Sequence, residues 1–191
     1  MLTATLQFMV QTVFSLFLYA ALLRFYLQLM GAPFRHPFSQ FIMALTDFAV
    51  RPLRRVIPGF WGLDMASLLL AGLVQYFMTL TLLFLSGFPL LVAGFHVYLV
   101  LALLTVLKLF EASLYILMTS VAVQAILSWV NPHTMLAPIL DRFTAPFLRP
   151  VRRYIPLVAN VDLSPLVVFF ICQIILLAPV SGAEQAIRSL F

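Results

Sequence analysis

Arg51-Pro-Leu-Arg-Arg-Val-Ile-Pro58 returns at an offset of 98 residues as Arg149-Pro-Val-Arg-Arg-Tyr-Ile-Pro156, with six of the eight positions identical. The same offset pairs Thr46 with Thr144, Asp64 with Asp162 and Gln75 with Gln173. Self-similarity at one fixed period marks an internal duplication. The chain is therefore expected to be one unit built twice, over residues 1–89 and 90–191, with 90–103 as a linker or re-entrant segment.

The sequence around the two octapeptides is almost uncharged. Hydrophobic residues make up 64% of the 191 positions and charged residues 9%, and the mean hydropathy is +1.11. That is too apolar for the surface of a soluble domain and fits an all-α, polytopic membrane protein. Eight of the eleven basic residues lie in the octapeptides and their flanks, counting Arg35 and Arg142. With no soluble face carrying both a basic stripe and stacking aromatics, the formal charge of +5 points to orientation in the bilayer and to anionic headgroups; no direct nucleic acid contact is expected.

Leu6 to Met30 is long enough to cross a hydrocarbon core and too long for the apolar region of a signal peptide, so it is expected to stay as a span. Phe38, Phe41, Ile42 and Leu45 then recur at helical spacing, with Pro37 in the first turn and Ser39, Gln40, Thr46 and Asp47 off that face. This predicts a short interfacial helix. In the octapeptide, Arg51, Arg54 and Arg55 project to one side of a turn and Leu53 and Ile57 to the other. Pro52 suits a first helical position and Pro58 a stop, which predicts a separate amphipathic foot with guanidiniums at phosphate level.

A second span is expected from about Met65 to Ser86, with Asp64 as its cap or as an arginine partner, and a last span over Ser164 to Pro179 preceded in the same way by Asp162. Ser181 to Phe191 reads as a polar tail. Between Leu90 and Val130 two readings stay open: two spans broken near Lys108 and Glu111, or one span from about Leu104. The lack of a turn former between Lys108 and Glu111, the repeat offset and the excess of arginine in both feet favour one crossing. That gives four spans, both feet on the cytoplasmic side and both termini outside.

Polar groups inside the apolar runs are few. Gln75 and Gln173 fall near mid-span, placed to hydrogen-bond across the seam between repeats or to line a solute path. Lys108 and Glu111 are three apart on one face and are expected to pair. Arg24 is placed to snorkel or to pair with Asp47 or Asp64. His36, His96, His133 and Cys172 have no metal-ligand spacing, and the six acids stand singly, so no metal, no cofactor and no catalytic residues are assigned.

These residues resemble a known family. Pro37-Phe-Ser-Gln-Phe-Ile42, the Thr46-Asp47 pair, the doubled Arg-Pro-x-Arg-Arg-x-Ile-Pro, Asp64 and Asp162-Leu-Ser-Pro165 are similar to the YggT (YlmG) integral membrane proteins. The chain departs from the family pattern at Phe60-Trp61-Gly62 and Leu157-Val158-Ala159-Asn160, which stand where a Gly-rich link is usual, and the second copy has no counterpart of Asp47. The resemblance implies a non-enzymatic bacterial inner-membrane factor linked to cell division, envelope organisation or osmotic and potassium tolerance. From the twin arginine clusters and the absence of catalytic groups comes the expectation that Arg51, Arg54, Arg55, Arg149, Arg152 and Arg153 meet anionic phospholipid headgroups or an acidic partner, and that the spans meet other membrane proteins. A channel or transporter component is the alternative.

Overall fold

Apolar length sets the long elements. In the computed structural model, which describes residues 1–32, 36–57, 59, 62–89, 94–131, 134–155 and 162–190, the chain forms α1 (Leu2–Leu29), α2 (Pro37–Val56), α3 (Met65–Leu85), α4 (Phe95–Val130), α5 (Ala137–Tyr154), α6 (Ser164–Ile175) and α7 (Ser181–Arg188). Four helices are long and apolar enough to cross a membrane: α1, α3, α4 and the run Ser164–Arg188. The descriptions proposed above for Arg35, Pro58, Phe60, Trp61, His133, Pro156 and 157–160 fall outside the described residues.

One helix spans the stretch that had two readings. At 1.5 Å per residue the 36 residues of α4 measure about 54 Å, and the helix passes unbroken through Lys108 and Glu111. Residues 95–103 are its first turns and not a separate piece. A single crossing there brings the second repeat back in the same sense as the first. Accordingly α2 and α5 lie at the same end of the bundle, where Leu27, Ala32, Ile42 and Ile139 form one apolar cluster.

α1 and α3 pack side by side through Ala21, Ala66 and Ala71, whose small side chains let the backbones approach closely. Leu18, Leu22, Val50, Leu70, Ala112 and Ile116 complete this core. In the second repeat Leu114, Leu117, Met118 and Val121 of α4 meet Leu148, Val168, Cys172 and Val180. α4 thus serves both halves.

Three local expectations are corrected. The interfacial helix and the arginine foot are one helix, with Pro52 inside it, and α5 likewise contains Pro146 and Pro150. Pro52 lies near the C-terminal end, so its missing N–H costs one bond while the packing of Thr46 and Val50 holds the helix in register. Second, α2 buries Ser39, Ile42, Thr46 and Val50 and turns Phe41, Leu45 and Phe48 outward, because its small polar side meets Arg24 and lipid can take the aromatics. Third, the polar tail is helical and continuous with α6 through a π-turn at Leu176–Val180. Pro179, which has no N–H for the Ile175 carbonyl, sits in that widened turn.

Candidate functional site: the arginine feet and the charged cluster behind them

Helix α1 reaches the foot end with Arg24, which does not snorkel: it is 6% exposed. Its Nη1 donates to Asp47 Oδ1 at 2.7 Å, to Thr46 Oγ1 at 2.8 Å and to the Met43 carbonyl at 3.3 Å. Thr46, fully buried, donates its own hydrogen bond to the Ile42 carbonyl at 2.8 Å. Arg51, one turn beyond Asp47, pairs with its other oxygen at 2.6 Å. Burial pushes the Asp47 carboxyl up, but the hydrogen bonds and charges of Arg24 and Arg51 outweigh it, and its pKa lies below the ordinary value.

Asp64 caps α3 and holds arginines at the same time. Its Oδ1 accepts from the Ser67 amide at 3.3 Å and from Arg54 Nε at 3.2 Å; its Oδ2 accepts from Ser67 Oγ and Arg54 Nη2, both at 2.5 Å, and lies 3.5 Å from Arg24 Nε. The carboxylate is 2% exposed. Burial raises its pKa, and the bonds from Arg54 and Ser67 more than reverse that. The same bond to Asp64 raises the pKa of Arg54. Gln28 closes the arrangement, accepting from Arg54 Nη2 at 3.0 Å and donating to the Gly62 carbonyl at 3.2 Å. Gly62, at φ +79°, is in the left-handed region that glycine enters without a Cβ penalty.

The second foot is built on fewer charges. Asp162 accepts from Arg152 Nε at 2.8 Å and from the Ser164 amide at 2.9 Å. It stands one residue before Leu163, the N-cap of α6. Burial pushes its carboxyl up, and the bonds from Ser164 and Arg152 hold it below the usual value. Where the first copy has Arg24 and Asp47, the second has Ala122 and Ala145. Thr144 instead bonds the Gln124 side chain, which also donates to Asp141 at 3.2 Å. Arg55, Arg149 and Arg153 are exposed and make no ion pair among the described residues.

Side chains clamp the two feet together. His36, the N-cap of α2, accepts from the Phe38 amide at 3.2 Å and lies 2.9 Å from the Met135 carbonyl through its other ring nitrogen. Arg142, grouped above with the second foot, donates to the Gly31 carbonyl of the first repeat at 2.5 Å. Tyr26 and Phe143 meet edge to face with ring centroids 5.4 Å apart.

The two mid-span glutamines do not pair. Gln75 is buried and donates to Thr79 Oγ1 at 3.1 Å on its own helix, whereas Gln173 faces outward from α6. Lys108 does pair with Glu111, at 2.8 Å, and also reaches Glu184 at 2.9 Å; Arg188 closes on Glu184 at 2.8 Å. This second ionic cluster, which the polar-tail reading missed, lies along a cavity of about 470 Å³ that extends past Thr79 to Gln75. An apolar cavity of about 630 Å³ lies toward the feet, and Tyr19 and Tyr115 line both. No group of three or more His, Cys, Asp or Glu converges among the described residues.

With this geometry in place, comparison with known proteins is direct. The family model for CCB3/YggT matches the chain twice, over residues 3–85 and 98–181. The chain belongs to the CCB3/YggT family. The two matches coincide with the two halves of the duplication, each comprising two long apolar helices around one arginine foot. An uncharacterised Pseudomonas aeruginosa protein is 39% identical over 171 residues, covering 88% of this chain and 84% of its own. A Vibrio alginolyticus protein is 36% identical, covering 86% and 88%, and the Escherichia coli K12 protein called YggT is 33% identical, covering 90% and 87%. No solved structure matches.

Proposed function

We propose that this YggT-type protein is a non-enzymatic inner-membrane scaffold or biogenesis factor, linked to cell division, envelope organisation or osmotic stress tolerance, whose two arginine feet bind anionic lipid or an acidic partner on the cytoplasmic face. The observation that carries this reading is the location of both feet at one end of the bundle, with Arg55, Arg149 and Arg153 exposed and committed to no carboxylate. Such guanidiniums at headgroup depth attract anionic surfaces at about 1 kcal/mol each. Non-enzymatic action is supported by the acids: Asp47, Asp64, Glu111, Asp162 and Glu184 are ion-paired and Asp141 is held by Gln124, which leaves no carboxylate poised as a base.

The test is replacement of Arg51, Arg54, Arg55, Arg149, Arg152 and Arg153 by Gln, expressed at normal abundance and orientation in a strain lacking the gene. Growth at high osmolarity and normal division are expected to be lost. Full restoration by that variant refutes the reading.

The cavity reaching Gln75 favours a second reading, a channel or transporter component acting on potassium or an osmolyte. Its charged wall stops short of Tyr19 and Tyr115, beyond which the lining is mostly apolar, with Thr119 and Ser120 as its other hydroxyl groups. Flux in reconstituted vesicles that changes on Gln75→Leu with Gln173→Leu supports it, and flux no greater than in empty vesicles removes it.

A further inference from the structure

A third cavity, of about 300 Å³, lies in the fork between the end of α1 and α2, lined by Arg24, Gln28, Ser39 and Arg54 with Leu27 and Met43. Two of its polar atoms are buried and have no hydrogen-bond partner: Arg24 Nε and Ser39 Oγ. Ser39 is 1% exposed, so bulk water does not satisfy it. Arg24 Nε lies 3.5 Å from Asp64 Oδ2 without making a hydrogen bond to it, and a buried donor left so is costly unless something else accepts from it. Gln28 is turned to other partners, its oxygen accepting from Arg54 and its amide donating to the Gly62 carbonyl.

Charge identifies what is missing. Arg24 and Arg54 line the cavity and no carboxylate does; the ion-paired cluster to which they belong holds three guanidiniums, these two and Arg51, against two carboxylates, Asp47 and Asp64. One positive charge remains; Arg24 Nε can only donate, and the Ser39 hydroxyl can donate as well as accept. Together these features fit a monoanion with several acceptor oxygens.

We infer that this fork is a binding site for a phosphoryl oxyanion, held by Arg24 Nε, Ser39 Oγ and the guanidinium of Arg54. It goes beyond the foot reading and shares only Arg54 with it. The second repeat is the internal control, because Ala122, Ile126, Ala137 and Asp141 stand at the positions of Arg24, Gln28, Ser39 and Met43. One site per chain is therefore expected, not two. The oxyanion is supplied by a phospholipid headgroup reaching in from the leaflet or by free phosphate, and the two are separable by experiment.

Native mass spectrometry of the purified full chain, titrated with phosphatidylglycerol, tests this. One tightly held lipid per chain is expected, with phosphatidylcholine at least tenfold weaker. Ser39→Ala, and Arg24→Lys, which keeps the charge but not the Nε donor, each weaken phosphatidylglycerol binding about tenfold with the foot arginines intact. If Arg24→Lys does not fold, Ser39→Ala decides alone. Millimolar inorganic phosphate that displaces the lipid, or binds with the same sensitivity to Ser39→Ala where the lipid does not, assigns the site to the soluble anion; failure to displace assigns it to the headgroup. Wild-type binding of both probes by the Ser39→Ala variant, or equal binding of the two lipids, overturns the inference. The six-glutamine variant reports on the feet separately, so the two failures are distinguishable.

Discussion

Replacing Asp64 by Ala removes a carboxylate that serves a helix cap and two arginines together, and the repeat supplies its own comparison in Asp162→Ala. Asp64 is 2% exposed and accepts from both Ser67 donors and two nitrogens of Arg54, with Arg24 at 3.5 Å. Breaking a buried pair costs about 3–5 kcal/mol because it strands the other charge, here Arg24 beside a single remaining carboxylate. Loss of the cap adds about 1 kcal/mol. Arg54 is 44% exposed, so water recovers part of its share, and a net loss of about 3–4 kcal/mol is expected. Asp162 is 30% exposed and Arg152 43% exposed, so their pair contributes about 0.2–1 kcal/mol. With the Ser164 amide bond, Asp162→Ala is expected to cost about 1–2 kcal/mol. Equilibrium unfolding in mixed micelles, read on both single variants and on Asp64→Asn, measures the difference. Equal losses at the two positions, within about 0.5 kcal/mol, refute the reasoning that burial and Arg24 distinguish the copies.

Acid supplies a further test: Asp47, Asp64 and Asp162 all have folded-state pKa values below their unfolded value of about 3.9. Their stabilisation is complete above that value and is lost as pH falls through the folded pKa values, so the melting temperature should be flat above about pH 5 and drop below about pH 4. Asp64→Asn should shrink that drop; an unchanged acid limb counts against it. Lys108→Met strands Glu111 and leaves Glu184 to Arg188 alone, and should cost about 2 kcal/mol, with coupling to Glu184→Gln of at least about 1 kcal/mol in a double-mutant cycle. No coupling means that α7 is not docked by this cluster. In a Cys172→Ala background, Arg55→Cys and Arg153→Cys should react with an impermeant thiol reagent from the same face of the membrane. Labelling from opposite faces contradicts the single crossing by α4.

Duplication and span number were legible because they rest on local signals: a repeated octapeptide, and apolar runs whose length decides whether they cross. The continuity of α4 past Lys108 and Glu111 was readable from the absence of any breaker there, whereas its start at Phe95, ahead of the expected Leu104, was not. Azimuth was not readable in the same way. Gln75 and Gln173 share a depth but face different directions, because depth follows from residue count while facing follows from which neighbours pack. The face of α2 shows the same limit: of the apolar residues at helical spacing Ile42 is buried and Phe41 and Leu45 point outward, while Ser39 and Thr46, read as lying off that face, are buried. The reach of Glu184 to Lys108 links residues 76 apart, through a π-turn that no local propensity announced.

With Ala122 and Ala145 where the first copy has Arg24 and Asp47, the two halves hold their basic side chains differently. The N-terminal copy keeps its guanidiniums largely engaged within the protein, while the C-terminal copy leaves Arg149 and Arg153 uncommitted. A synthetic chain made of the first half in tandem would carry the Arg24–Asp47 pair twice and leave only Arg55 of each octapeptide without a carboxylate.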